Sequence, residues 1–139
     1  MKNYITLDKK FIFLLVMLLV PLQCSAAESS VENVDAKTFA AVIEAHKSDM
    51  DVVILDIRTP AEFNAGHIAG AVMLDFYSKS FAQDFDRLDR NKTYLVYCRS
   101  GNRSGQLMRA IKNLGFKKIY NMERGLVDWV REGYPLTTS

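Results

Sequence analysis

Apolar positions between residues 31 and 136 fall into short runs separated by polar breaks, and the runs alternate between two periods. Val52 to Leu55 places four consecutive aliphatics inside Asp51 to Ile57, the pattern of a strand buried on both faces in a parallel sheet. Ala71 to Leu74, Thr93 to Tyr97 and Lys118 to Met122 read as further strands, and Val31 to Val34 is a short alternating stretch ahead of them. Between these lie stretches with helical spacing. Asp35 is placed to cap a helix over 36–47 whose Phe39, Val42, Ile43 and His46 share a face, so that face, His46 included, is expected to pack on the sheet. Thr59-Pro60 ends the first long strand, and Pro60 to Phe63 can form a helical turn with proline in its first position. Ser80 to Leu88 is a short amphipathic helix, followed by a polar break over Asp89 to Lys92. Ser104 to Leu114 sets Leu107, Met108, Ile111 and Leu114 at helical spacing before a stop at Gly115. Gly125 marks a turn, and Leu126 to Glu132 forms a last helix carrying Trp129 as a core anchor. The alternation predicts an α/β domain with a mainly parallel sheet, a class whose ligands bind outside the carboxyl ends of the strands.

The first residues do not share this pattern. Lys2, Lys9 and Lys10 precede an unbroken apolar run from Phe11 to Val20, closed by Pro21 and followed by Ser25-Ala26-Ala27. This is the layout of a secretory signal peptide cleaved after Ala27. The run is too short for a stable membrane span, which needs about twenty residues. Residues 1–27 are therefore expected to be removed on export, to a bacterial periplasm, leaving 28–139 as one domain with no stable membrane insertion.

Removing the leader changes two bulk properties. The chain of 139 residues has a formal net charge of +2, but the leader holds three of its lysines and one aspartate, so the remainder is neutral. Nothing in that balance suggests nucleic acid or anionic lipid as a partner. Cys24 also leaves with the leader, and Cys98 remains alone. A lone cysteine in an exported protein is a buried small hydrophobe or a reactive thiol.

Its neighbours favour the reactive thiol. Cys98-Arg99-Ser100-Gly101-Asn102-Arg103-Ser104 joins a buried strand to a helix, where α/β sites occur. Gly101 and Asn102 tolerate positive φ, which a tight loop needs to aim successive N–H groups inward as an anion nest. The helix beginning near Arg103 adds its positive dipole end, and Arg99 and Arg103 add full charges. Each of these lowers a thiol pKa, so Cys98 is expected to be largely thiolate at neutral pH. At least one of Arg99 and Arg103 is expected to bind substrate; the bland alternatives are a solvated charge and a helix cap. Asp56 and Arg58 at a strand end suit a catalytic pair or a structural one, and His67 a general base or a structural residue. The two histidines and one cysteine have no recognised metal-ligand spacing.

Four segments carry a resemblance to the rhodanese-like domain family over about Val31 to Leu136. These are Leu55-Asp56-Ile57-Arg58 with Pro60, Glu62 and Phe63; Gly66-His67-Ile68-Ala69-Gly70-Ala71; Cys98 to Ser104; and Gly125 with Trp129 and Gly133-Tyr134-Pro135-Leu136. Arg124 departs from the pattern, since many members carry a second glycine there. The resemblance implies a central, mainly parallel five-stranded sheet with helices on both faces, and a single-domain sulfurtransferase of the thiosulfate type. Cys98 would take the outer sulfur of thiosulfate as a persulfide, releasing sulfite, and pass it to cyanide or a thiol without any cofactor. Arg99, Ser100, Gly101, Asn102, Arg103 and Ser104 would bind substrate, with Asp56, Arg58 and His67 as structural support. The expected partners are small sulfur donors and acceptors, a thiol protein among them, acting on a monomer.

Three rival functions remain. A cysteine-dependent phosphatase or arsenate reductase also joins a strand-end cysteine to an arginine through an oxyanion loop. Its loop has five intervening residues, where Cys98 and Arg103 are separated by four. A binding module would have no use for an intact cysteine and its arginines. A thiol redox protein would carry a resolving cysteine.

Overall fold

The computed structural model describes residues 29–138, so the expected leader lies outside the described residues. Five strands, β1 (Val31–Val34), β2 (Val52–Asp56), β3 (Val72–Met73), β4 (Thr93–Tyr97) and β5 (Lys118–Met122), form one sheet in the order β1-β5-β4-β2-β3. Every neighbouring pair is parallel. The helices are α1 (Ala36–Ala45), α2 (Pro60–Ala65), α3 (Phe81–Asp86), α4 (Asn102–Ala110) and α5 (Gly125–Arg131). From β2 the chain steps outward to the β3 edge, whereas from β4 it steps the other way to β5. Adjacent strands β2 and β4 therefore send their following segments in opposite directions, and such a divergence opens a crevice at the strands' carboxyl ends.

Side-chain alternation along the central strands feeds a separate core on each face. Tyr94 and Val96 of β4 join Leu55, Ile119 and, from α4, Leu107 and Met108. Leu95 and Tyr97 point the other way, to Phe39 of α1 and to Leu126 and Trp129 of α5. Phe39 meets both Tyr97 and Trp129 edge to face at 6.3 Å. The Trp129 indole N–H reaches Pro135 O at 3.0 Å, which fastens the C-terminal segment to this core.

Helix ends follow local chemistry. Asp35 accepts from the Thr38 amide at 2.8 Å, as an N-cap should. Thr59 and Glu62 form a complete capping box around Pro60. Two expectations fail at helix C-termini. His46 is the C-cap of α1, with φ −119° and ψ 19°, so it leaves the apolar face and stands exposed, Nδ1 3.4 Å from Asp49 Oδ2. The α4 helix starts at Asn102 and ends at Ala110, so Leu114 falls in the following turn and is 41% exposed.

At the carboxyl end of β2, Asp56 is completely buried and Arg58 nearly so. The guanidinium donates to the Asp56 carboxylate from Nε at 3.0 Å and from Nη2 at 2.6 Å, and Nη2 also donates to Gly66 O at 2.7 Å. The Arg58 amide adds a bond to Asp56 Oδ1 at 2.9 Å. His67 stacks on Phe63 at 3.7 Å with Nδ1 3.0 Å from Phe63 O, while its backbone exchanges two hydrogen bonds with Thr137. The partners of all three residues are neighbouring backbone and side chains of the fold. Asp56→Ala would strand a buried guanidinium, so it should lower the unfolding free energy by about 3–5 kcal/mol. Urea denaturation measures this, and a loss under about 1 kcal/mol would show that the pair does not brace the strand end.

Candidate active site

Strand β4 delivers Cys98 to the crevice, and the chain must turn there within three residues to start α4. Gly101 makes the turn with φ +88° as the helix N-cap. Its N–H then points back to Cys98 Sγ at 3.1 Å. Asn102, expected to share the positive φ, instead opens the helix; among the described residues only glycines take positive φ. One left-handed residue suffices for the reversal.

The loop is clamped from behind by the β5–α5 turn. The amides of Leu126 and Val127 donate to Cys98 O at 2.9 Å and Arg99 O at 3.0 Å. The two backbones approach so closely that a Cβ on Gly101 would fall 1.7 Å from Glu123 O, and one on Gly125 2.4 Å from Cys98 O. Gly125 also has φ +60°. Arg124, the departure from the family pattern, has φ −102°, which any residue adopts.

Cys98 is 1% exposed, so its sulfur is screened from bulk solvent. Burial pushes the thiol pKa up. The amides of Ser104, Ser100 and Gly101, with the Ser104 hydroxyl, more than offset this, and the pKa ends below its ordinary value. Ser104 Oγ lies 3.6 Å from Sγ and 3.3 Å from Gly101 O. The lowering expected of the arginines therefore comes chiefly from amide dipoles.

The reason lies in Arg103, whose guanidinium forks onto Glu62 at 2.8 and 2.7 Å. This pair joins α2 to α4 across the crevice. Hydrogen bonds from Arg103 hold the Glu62 carboxyl down at about 2, against some opposition from burial. Arg103 is in turn pushed above its ordinary range, chiefly by Glu62. The Tyr77 ring lies 5.6 Å from the guanidinium carbon and is largely exposed. Arg99, Ser100 and Asn102 are exposed. Arg99 makes no ion pair among the described residues.

The structure thus gathers Ser100, Gly101 and Ser104 around the Cys98 sulfur, turns Arg103 onto Glu62, and leaves Asp56, Arg58 and His67 in contacts of their own away from it. Sequence reasoning placed Glu62 in its helical turn without its ionic partner, and it passed over Tyr77. The Thr59-x-x-Glu62 spacing is that of a capping box and could have drawn attention to Glu62, whose carboxylate serves both cap and Arg103.

A parallel α/β domain with a strand-end thiol inside a nest of amides is one class of anion-handling fold. The family model for the rhodanese-like domain matches residues 37–132, and the chain belongs to that family. It is 33% identical over 86 residues to a sulfurtransferase of Allochromatium vinosum, covering 62% of this chain and 78% of that protein. It is 32% identical over 88 residues to a thiosulfate sulfurtransferase of Tolumonas auensis, covering 63% and 80%. Among solved structures, the rhodanese-related protein of Thermoplasma volcanium superposes with a TM-score of 0.61 at 27% identity, over 79% of this chain and 99% of that one. Other curated relatives are much longer, and the chain spans as little as 22% of their length.

The amide nest has a direct consequence for reactivity. The rate of Cys98 alkylation by iodoacetamide should rise with a midpoint below the roughly 8.5 of a free thiol. Ser104→Ala should move that midpoint upward. A wild-type midpoint at or above 8.5 would contradict the stabilised thiolate.

Proposed function

We propose that the protein is a monomeric sulfurtransferase in which the Cys98 thiolate takes the outer sulfur of thiosulfate and hands it to cyanide or a thiol. The observation that carries this reading is the Gly101 N–H at 3.1 Å from Cys98 Sγ, the innermost donor of a nest that stabilises anionic sulfur. In the first half-reaction the thiolate attacks the outer sulfur, a new S–S bond forms, the bond to the sulfonate sulfur breaks, and its electron pair leaves with sulfite. The charge on Cys98 passes to the terminal atom of a persulfide. In the second half-reaction the acceptor attacks that terminal sulfur, and the bonding pair returns to Cys98 as thiolate. With cyanide, the product is thiocyanate. No proton is abstracted from an ionised thiol, which agrees with a structural His67 and with a site that needs no resident cofactor.

Both leaving groups are anions, and the nest is built for anions. The four-residue separation of Cys98 from Arg103 makes a narrower cradle than a tetrahedral phosphoryl group on sulfur requires. The names of the relatives from Allochromatium and Tolumonas point the same way. By the general scale for a lost oxyanion donor, removing one contributing group should cost about 10²–10³ in rate.

Purified protein, wild type and Cys98→Ser, is assayed with thiosulfate plus cyanide and separately with an aryl phosphate. Thiocyanate formation in the wild type that disappears in the variant is the expected outcome; phosphate release without sulfur transfer would move the site to the phosphatase class. For the leader, residues 1–27 direct the chain to a periplasm in this reading. Intact mass of the exported protein should correspond to a chain starting at Glu28, and a mass that retains the apolar run would overturn it.

A further inference from the structure

We propose that the groove between α2 and α5 binds an organic carboxylate with an apolar body, and that the thiol relieving the Cys98 persulfide is of this class. The second half of this statement rests on the sulfur-transfer reading; the first does not.

The groove has a volume of about 460 Å³ and is walled by Ala65, Leu126, Val127 and Val130. Val127 and Val130 are 57% and 54% exposed and lie one turn apart on α5. Two β-branched side chains at that spacing on a short surface helix make an apolar strip rather than a solvated face. Thiosulfate has five heavy atoms and is charged throughout, so it has no use for this strip. Ligand cavities generally run to about 300–1,000 Å³, and the groove falls in the range for a small organic molecule.

Its charges select the sign of the ligand. Three ionised groups line the groove: Arg58, Glu62 and Arg99. Arg58 is consumed by Asp56 and Gly66 O, and Glu62 is matched by Arg103. Arg99 alone is uncompensated, with neither ion pair nor side-chain hydrogen bond among the described residues. A ligand that lays a hydrocarbon chain on Val127 and Val130 therefore finds a cation at the end nearest the loop.

The groove is coupled to the thiol by backbone. Val127 N–H holds Arg99 O at 3.0 Å and Leu126 N–H holds Cys98 O at 2.9 Å, so the apolar strip and the sulfur loop keep a fixed relation. An acceptor seated on α5 lies beside Arg99, the residue that follows Cys98 in the loop.

Two arms test this with the purified protein. Calorimetry with butanoate, hexanoate and octanoate, which cannot exchange sulfur, should show Kd falling about twofold to fourfold per added methylene. The uncharged 1-octanol should bind at least tenfold more weakly than octanoate. In the turnover arm, 3-mercaptopropionate, 6-mercaptohexanoate and 8-mercaptooctanoate are compared as acceptors from thiosulfate, and KM should fall in that order. The variant Val130→Asp should lose both trends while its rate with cyanide stays at the wild-type value. Val130→Gln, the milder change, should flatten them in part. Affinities independent of chain length, or trends that persist in Val130→Asp, would overturn the proposal even with thiocyanate formation intact. Octanoate binding with the expected trend but no thiocyanate would uphold the groove and sink the sulfur-transfer reading instead.

Discussion

The site depends on two stretches of backbone that touch with no room for a side chain between them. Residues 98–101 lie against the turn at 123–127 closely enough that glycine is required at both Gly101 and Gly125. The contact leaves the Cys98 and Arg99 carbonyls bonded to amides of α5, which frees the loop's own amides to face inward. Without that outside support a loop of this length would turn some carbonyls toward the sulfur. An anion nest is therefore as much a property of the β5–α5 turn as of the segment that contains the cysteine.

Electrostatics around the loop is organised by cancellation. Asp56 neutralises Arg58 inside the protein, and Glu62 neutralises Arg103 at the crevice. Arg99, at the surface of the loop, stays unpaired among the described residues, and what stabilises a thiolate at the sulfur itself are amide dipoles and one hydroxyl. These act over a short range and do not vary with pH, whereas a bare arginine beside the sulfur would also hold on to any departing anion. In the proposed cycle, where sulfite must leave before the second substrate arrives, dipoles of fixed orientation are the better arrangement. The ion pairs serve position more than charge: Glu62–Arg103 joins the first turns of α2 and α4, the two helices that flank the switch between β2 and β4.

Much of this was legible in the residues. The bounds of β4 and β5 coincide with the β-branched and aromatic runs that predicted them, because polar breaks or glycines flank both. Trp129 is a core anchor as read, and Asp35 caps its helix as its position before Ala36 predicted. Two of the misses share one cause, which is that spacing records periodicity and not where the chain turns away. His46 and Leu114 continue a helical stripe in sequence after the helix itself has ended. Asn102 has the capacity for positive φ, but Gly101 had already supplied the reversal. Glu62 and Arg103 stand 41 residues apart, and nothing local in either segment names the other. The need for glycine at position 125 is likewise invisible until the loop is laid upon it.

Ser104 shows how the nest can follow a charge that moves. Its side chain is buried, with Sγ on one side and Gly101 O on the other. A thiol donates to the serine oxygen, and the serine hydrogen then rests on Gly101 O. Ionisation removes the thiol hydrogen, and the hydroxyl turns to donate to sulfur. Gly101 O is not orphaned by the turn, because it keeps the Gly105 amide at 2.8 Å. The reorientation therefore leaves no buried polar group without a partner, which would otherwise cost about 1–3 kcal/mol. In the proposed cycle the same motion runs in reverse when the charge passes outward to the terminal persulfide sulfur. The hydroxyl can return to Gly101 O while the outer atom is taken up by amides nearer the mouth. A rigid donor at position 104 would stabilise one of these states at the expense of the other, whereas a hydroxyl between two acceptors serves both.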